Sequence, residues 1–256
     1  MNKTYLIAFL TILRKETMRF LRIWPQTLLP PVITVTLYFT IFGHVLGPRI
    51  GVVNQIPYMQ YIAPGLIMMS VVTNSYMNVV GSFYGLRFSK SVEELVIAPI
   101  PNYLILLGFT AGGIARGLIV GLLVTIIALF FTNLHIYNLL ITISVIFLAA
   151  ILFSLAGFTN ALFAKKFDDT AIIPTFILTP LNYLGGIFYP IHLLPPMWYQ
   201  LSLVNPIVYL VNAFRYGIIG ISDISVIIAF IILISCSAAL FIYNLYLLNK
   251  GKGIRT

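Results

Sequence analysis

Long apolar stretches without a single charge constrain the fold of this chain more than any other feature. Charged residues are missing from 23–48, 50–86, 117–164, 170–214 and 224–249. A helix needs about 20 apolar residues to cross the hydrocarbon core of a bilayer. Within lipid only helices and closed barrels satisfy their backbone groups, and these runs do not alternate as strands would. We therefore predict an all-α integral membrane protein.

The spacing of charges and polar turns predicts six transmembrane helices, at about 27–46, 60–83, 103–131, 137–163, 171–189 and 225–248. Residues 190–222 contain four prolines, which disfavour a full lipid-facing span. We interpret them as an outer re-entrant helical hairpin, a pair of short helices dipping in from the outer face. Six spans place both termini and most basic residues on the cytoplasmic side, as the positive-inside rule requires. The transmembrane domain then covers 27–249, and 250–256 form a basic cytoplasmic tail.

The basic character of the chain reflects this topology. Only 8% of the 256 residues are charged, against about 25% in an ordinary soluble domain, yet the net charge is +9. No basic domain outside the membrane is evident, so we expect membrane lipids as partners and no nucleic acid. We also expect no metal site, because the three histidines are scattered and no further ligands are evident.

Residues 1–26 are predicted to form an N-terminal amphipathic helix in the membrane interface. Lys15, Arg19 and Arg22 recur at helical spacing on one face. The apolar face is expected to carry Leu6, Phe9, Leu10, Leu13 and Phe20. Cations on such a helix lie near anionic head groups.

A short cytoplasmic helix is predicted in the stretch RFSKSVEELVIAPIPNY, residues 87–103. Ser91 and Glu94 have the spacing of a capping box, and Glu93 lies beside them in the first turn, where the helix dipole favours negative charge. Pro99 ends the helix. Such a rigid element suits docking of a protein partner, and equally a stable interfacial turn. The loop that contains Lys165, Lys166, Asp168 and Asp169 is either a topogenic signal or a second contact for the same partner.

Two features within the spans are candidates for a translocation path. Arg116 is an intramembrane charge, which costs about 2.5–3.5 kcal/mol on insertion scales and indicates function by default. Its partner is a carbonyl, a tyrosine hydroxyl, a water cavity or an anionic substrate, and a purely structural role is the alternative. The fifth span is interrupted by prolines and glycines, which is typical of a gate but also of a kinked packing helix. Its candidates are Pro174, Pro180, Tyr183, Gly185 and Gly186.

Glycines of the third span, by contrast, predict close helix packing. Gly113, Gly117 and Gly121 recur every four residues, as do Gly108 and Gly112, in the small-residue pattern of membrane helix interfaces. The G-x-x-x-x-G-K-[ST] phosphate loop does not occur in the sequence. We therefore expect no catalytic residue and no cofactor bound by this chain.

Three stretches resemble the type-2 ABC transporter permease family, and within it the YadH-like branch. They are 87–108, 111–124 and 185–220, the last with prolines and an arginine typical of the family's outer re-entrant region. The resemblance implies the membrane subunit of an ATP-driven exporter, built from two usually identical copies that form the pore. It also implies a separate ATPase subunit on each copy, which would use ATP and Mg.

The resemblance assigns the predicted helix at about 90–99 as the coupling helix, which would transmit the ATPase motion to the spans. It implies that Glu93, Glu94 and Leu95 lie near the ATPase, with the 165–169 loop as a second contact. Two alternatives stay open. An ion-driven secondary transporter would place ionisable groups along its spans, where Arg116 stands alone. A lipid-modifying membrane enzyme would need convergent catalytic residues, and none is evident.

Overall fold

The computed structural model describes residues 3–92 and 100–251, which are almost entirely helical. The first part runs from α1 (Lys3–Arg22) through a broken helix to a hairpin of β1 (Val52–Val53) and β2 (Ile56–Pro57) and then α5 (Tyr58–Phe88). The broken helix consists of α2 (Trp24–Thr27), α3 (Leu29–Tyr38), a π-helical turn (Phe39–Leu46) and α4 (Gly47–Ile50).

The second part begins with two long helices, α6 (Asn102–Phe131) and α7 (Leu139–Phe163). A short broken helix follows, made of α8 (Asp169–Ile173), a π-helical turn (Pro174–Leu178) and α9 (Thr179–Tyr183). After a 3₁₀ turn (Ile191–Leu193) come α10 (Pro196–Leu203), α11 (Pro206–Ile219) and α12 (Val226–Asn249).

Among the described residues, five helices are long and apolar enough to cross a membrane: Trp24–Ile50, Tyr58–Phe88, Asn102–Phe131, Leu139–Phe163 and Val226–Asn249. They match five of the six predicted spans, which confirms a multi-pass helical membrane protein. The predicted span at 171–189 corresponds to the shorter helical run from Asp169 to Tyr183. It ends early because the chain turns at Gly186, whose φ of 68° favours glycine. Between 190 and 222 the predicted pair of short helices is present as α10 and α11.

Helix α5 is the centre of the bundle, with 78% of its most apolar window buried, against 17–39% in the other four spans. Its neighbours are α6, α7 and α11. A stripe of polar residues runs along α5 at four-residue intervals, and all four members are buried. We call these residues the α5 polar stripe: Ser70, Asn74, Asn78 and Ser82.

Close packing by the glycines of α6 is confirmed. A Cβ atom added to Gly108 would lie 2.6 Å from Ile12 of α1, and one added to Gly112 would lie 2.5 Å from Glu16. The other three glycines meet α5 or α7 equally closely, since Gly113 faces Ser154, Gly117 faces Ser75 and Gly121 faces Val71. The glycine surface of α6 therefore admits α1 on one side and the long helices on the other.

The buried face of α1 differs from the predicted apolar face. Ile12, Glu16 and Phe20 are buried against the bundle, whereas Leu6 and Leu10 are 43% and 50% exposed. Gly108 and Gly112 lie four residues apart on α6, and they contact Ile12 and Glu16, which also lie four residues apart on α1. The contact with these glycines therefore determines which face of α1 is buried. Hydrophobicity alone did not identify Glu16 as part of this contact.

Candidate functional site

Arg116 lies halfway along α6 and is bound to the α5 polar stripe. Its Nη2 donates to Oδ1 of Asn74 at 3.0 Å and to the carbonyl oxygen of Thr27 at 3.2 Å. Of the partners considered from the sequence, a carbonyl is therefore present, together with an amide that sequence reasoning missed. The four-residue spacing of polar residues in α5 was the signal that could have found it.

The carbonyl of Thr27 is available because of the sequence that follows it. In a continuous helix this oxygen would accept from the backbone N–H four residues later, but Pro31 has none. The chain instead breaks between α2 and α3, and the Thr27 hydroxyl donates to the carbonyl of Phe20 at 2.8 Å. The break thus holds one backbone oxygen toward Arg116 from the first span.

Beside Arg116 lies a cavity of about 260 Å³ between the first span and α5. Its wall near Arg116 is polar and includes Gln26, Thr73 and Asn74. Farther along α3 the wall is apolar and includes Val35 and Tyr38. The cavity therefore presents a cation and amides at one part and apolar surface at another. We call it the Arg116 cavity.

A second charged group occupies the stripe one turn away. Arg19 donates from Nη2 to Oδ1 of Asn78 at 2.8 Å and to its carbonyl oxygen at 2.9 Å. Its Nε lies 3.4 Å from Oε2 of Glu16, which is fully buried. The geometry is that of an ion pair without a hydrogen bond. Arg19, predicted as an interfacial cation, thus also joins α1 to α5, while Lys15 and Arg22 are exposed.

Four aromatic rings meet where the first span approaches the turn after α9. The ring centroid of Phe188 lies 4.9 Å from Phe42, 5.7 Å from Tyr38 and 6.3 Å from Tyr183. The backbone of Phe188 is held by the hydroxyl of Tyr58, which donates to its carbonyl oxygen at 3.1 Å. We call these rings the Phe188 cluster. Because Tyr38 also lines the Arg116 cavity, the cluster and the cavity are adjacent.

The remaining candidates in the fifth predicted span occupy two different environments. Pro174 opens the π-helical turn, and its carbonyl accepts from the Thr179 hydroxyl at 2.9 Å. Pro180 and Tyr183 are exposed. Gly185 is buried, and a Cβ there would lie 2.7 Å from Ile207. Short π-helical segments often occur at functional sites, and both broken helices contain one, of eight residues in the first and five in the second.

Arg215 of α11 is a buried cation. It is 1% exposed. The guanidinium lies 4.0 Å from the ring centroid of Tyr61 and donates to the carbonyl of Gly186 at 2.6 Å. The side chain is satisfied by an aromatic face and by backbone oxygens. Arg215 therefore anchors the Gly185–Gly186 turn to α5 and α11.

The predicted coupling residues fall only partly within the described chain. Ser91 is present, and its hydroxyl accepts from that of Ser89 at 3.1 Å. Glu93, Glu94, Leu95 and Pro99 lie outside the described residues. The start of this loop is fixed by Arg87, whose Nη1 donates to the carbonyls of Leu162 and Ala164.

Asp169 organises the second loop. Its Oδ2 accepts from the backbone N–H groups of Lys165 at 2.8 Å and Lys166 at 2.9 Å. These bonds to the charged form lower the pKa of the Asp169 carboxyl, most strongly through Lys166. The side chains of Lys165, Lys166 and Asp168 are exposed, so the loop presents both signs of charge on an ordered backbone.

Comparison with known proteins covers nearly the whole chain. The family described as ABC-2 type transporter matches residues 7–219. The chain is 50% identical over 256 residues to the inner membrane transport permease YadH of Escherichia coli (strain K12), and the match covers 100% of both chains. It is also 21% identical to nodulation protein J of Neorhizobium galegae, over 84% of this chain and 82% of that protein.

Proposed function

This chain belongs to the ABC-2 type transporter family and is the membrane permease subunit of an ABC transporter, and we propose that it works as an exporter. The similarity to the transport permease YadH over the full length is the observation that carries the transport role, and it supports a multi-pass protein of a bacterial inner membrane with an ATPase partner. The YadH-like branch named from the sequence is thereby confirmed. Export is the direction implied by the family resemblance.

The finer architecture that we propose has six spans and both termini in the cytoplasm. The helical run Asp169–Tyr183 extends about 22 Å at 1.5 Å per residue. This length supports a short span, the fifth in chain order, which the following turn completes. In this topology α10 and α11 form the outer re-entrant hairpin. Helix α1 lies at the cytoplasmic interface, with the exposed Leu6 and Leu10 against lipid.

Two copies of the chain and two ATPase subunits would make the complete transporter. The ATPase would dock on the loop at 90–99, with Glu93 and Glu94 as contacts, and on the loop of Lys165 and Asp168. ATP and Mg would then be used by that partner. Arg87 supports this proposal, because it binds the end of α7 to the start of the coupling loop. Motion imposed on one loop would therefore reach the other.

The translocation path that we propose runs from the Arg116 cavity to the Phe188 cluster. The first span contributes residues to both, and Tyr38 belongs to each. The Phe188 cluster would close the path on the outer side. The π-helical turns at Phe39–Leu46 and Pro174–Leu178 lie in the two broken helices that flank it. A shift of helical register at these π-helical turns would separate the rings of the Phe188 cluster.

The proposal is tested by purifying the tagged chain in mild detergent after expression with its ATPase subunit. We expect a complex that hydrolyses ATP in the presence of Mg and, in proteoliposomes, moves substrate only when ATP is supplied on the ATPase side. A chain that purifies without an ATPase and transports in response to an ion gradient would contradict it.

A further inference from the structure

The charge of Arg116 is not neutralised within the described part of the chain. Its two hydrogen-bond acceptors, Asn74 and the Thr27 carbonyl, are uncharged. No described acidic side chain forms an ion pair with it, since the two such pairs found involve Glu16 and Asp223. Its Nε is buried without a described partner, and Nη1 makes no hydrogen bond to a described residue. The guanidinium therefore retains donors and a full positive charge.

Arg215 is a second arginine within the bundle, and its surroundings are those of an arginine with a structural role. Arg215 is enclosed by the Tyr61 ring and by two carbonyl oxygens, and it is fully buried. Arg116 is instead partly exposed and lines a cavity. A cation held open to a cavity at the middle of a span is costly, and an anionic ligand would compensate for it.

The size of the cavity limits what it can hold. Pockets that enclose a complete small-molecule ligand usually measure about 300–1,000 Å³, and the Arg116 cavity measures about 260 Å³. A ligand would therefore place one polar group inside and leave its remainder outside. The apolar wall of the cavity includes Val35 and Tyr38 of the first span and Met69 of α5. That surface suits an acyl or polyprenyl chain.

We propose that the Arg116 cavity binds the acidic head group of an amphiphile, a phosphate or carboxylate, while the apolar part of the ligand lies along α3. Asn74 and Thr27 position the guanidinium, and Gln26 and Thr73 offer further polar contacts to the oxyanion. The inference rests on the proposed function, because it names the chemical class of substrate that this path would admit. Its binding step needs neither the ATPase nor transport.

The test is a binding measurement on the purified full-length chain in zwitterionic nanodiscs, with fluorescent phosphatidic acid as the probe. We expect saturable binding that Arg116→Gln weakens about tenfold, as loss of a charge-assisted contact predicts. Arg116→Lys should retain part of the binding. The control Arg49→Gln removes one exposed cation of the outer side, and we expect unchanged binding.

Because Arg116→Gln also removes a bond to Asn74, a second variant leaves that bond intact. Thr34→Phe fills the cavity from α3, where Thr34 lines it, and should weaken binding as well. Equal binding by wild type and both variants would overturn the proposal. So would equal affinity for phosphatidylcholine, which would remove the requirement for an anion, or full displacement by inorganic phosphate, which would remove the requirement for an amphiphile. An ATPase complex that forms normally in such a case would leave the proposed function standing.

Discussion

Arg87, at the end of α5, donates through Nη1 to the carbonyl oxygen of Ala164 at 3.0 Å. The same nitrogen lies 3.0 Å from the carbonyl of Leu162 and also contacts that of Ala161. These oxygens belong to the end of α7, where a helix leaves its last carbonyls without intrahelical partners. One side chain thus completes α7 and fixes the distance between the starts of the loops that follow α5 and α7.

Replacing Arg87 should uncouple these loops. Arg87→Gln is expected to lower the free energy of unfolding by about 1.5–3 kcal/mol, the usual contribution of hydrogen bonds to a charged group. The rate of ATP hydrolysis by the ATPase subunit should no longer depend on the permease bound to it. Thermal unfolding in detergent and the ATPase rate measure the two effects. Arg14→Gln, which removes an exposed cation from α1, is the control. Unchanged values for both variants would contradict the role of Arg87.

Docking of α1 on α6 depends on the absence of a side chain at Gly112. Gly112→Ala would place its Cβ 2.5 Å from Cβ of Glu16, and we expect a loss of about 1–3 kcal/mol from overpacking. Gly81→Ala is the matched control, because no atom lies within 4 Å of its added Cβ. In a helix interior this change should stabilise by about 0.5–1 kcal/mol. If the denaturation midpoints of Gly112→Ala and Gly81→Ala shifted in the same direction, the contact between α1 and α6 at Gly112 would be refuted.

The hydrogen bonds of Asp169 predict a pH dependence of stability. Because the folded pKa is lowered from its ordinary value of 3.8, the stabilisation is complete above that value and is lost as the pH falls through the folded pKa. Asp169→Asn should therefore be less stable than wild type at pH 7, and the difference should vanish in strong acid. Unfolding midpoints from pH 7 to pH 2 measure this. Asp168→Asn is the matched control, because the Asp168 carboxylate accepts no hydrogen bond from the described residues.

The Phe188 cluster is expected to act as the outer closure. Phe188→Ala removes the ring that contacts Phe42, Tyr38 and Tyr183, and should raise the passive leak of a small dye from proteoliposomes without ATP. Phe130→Ala removes a ring that is 81% exposed on α6 and should leave the leak at its wild-type rate. If Phe188→Ala leaked dye no faster than wild type, the path would be closed at another place.

Some of these features follow from local sequence, and others depend on which helix faces meet. Apolar length and the spacing of charges predicted six spans, of which five match the long apolar helices, and prolines predicted the short helices after Gly186. The free carbonyl of Thr27 was also readable, since Pro31 follows four residues later. In contrast, the burial of Glu16 depends on Gly112 of another helix. Counting charges by side could not show that Arg215 is enclosed by Tyr61 and backbone oxygens.

Docking of the ATPase on the loop that contains Glu93 and Glu94 is the contact on which the proposed coupling depends. The direct measurement is the amount of ATPase subunit retained by the purified permease, for wild type and for Glu93→Lys combined with Glu94→Lys. Glu93→Gln with Glu94→Gln separates loss of charge from reversal, and equal thermal stability establishes that the variants are folded. We predict strong retention by wild type, less by the glutamines and near-complete loss with the lysines. Full retention by the lysine variant, with ATP-dependent export intact, would contradict the account.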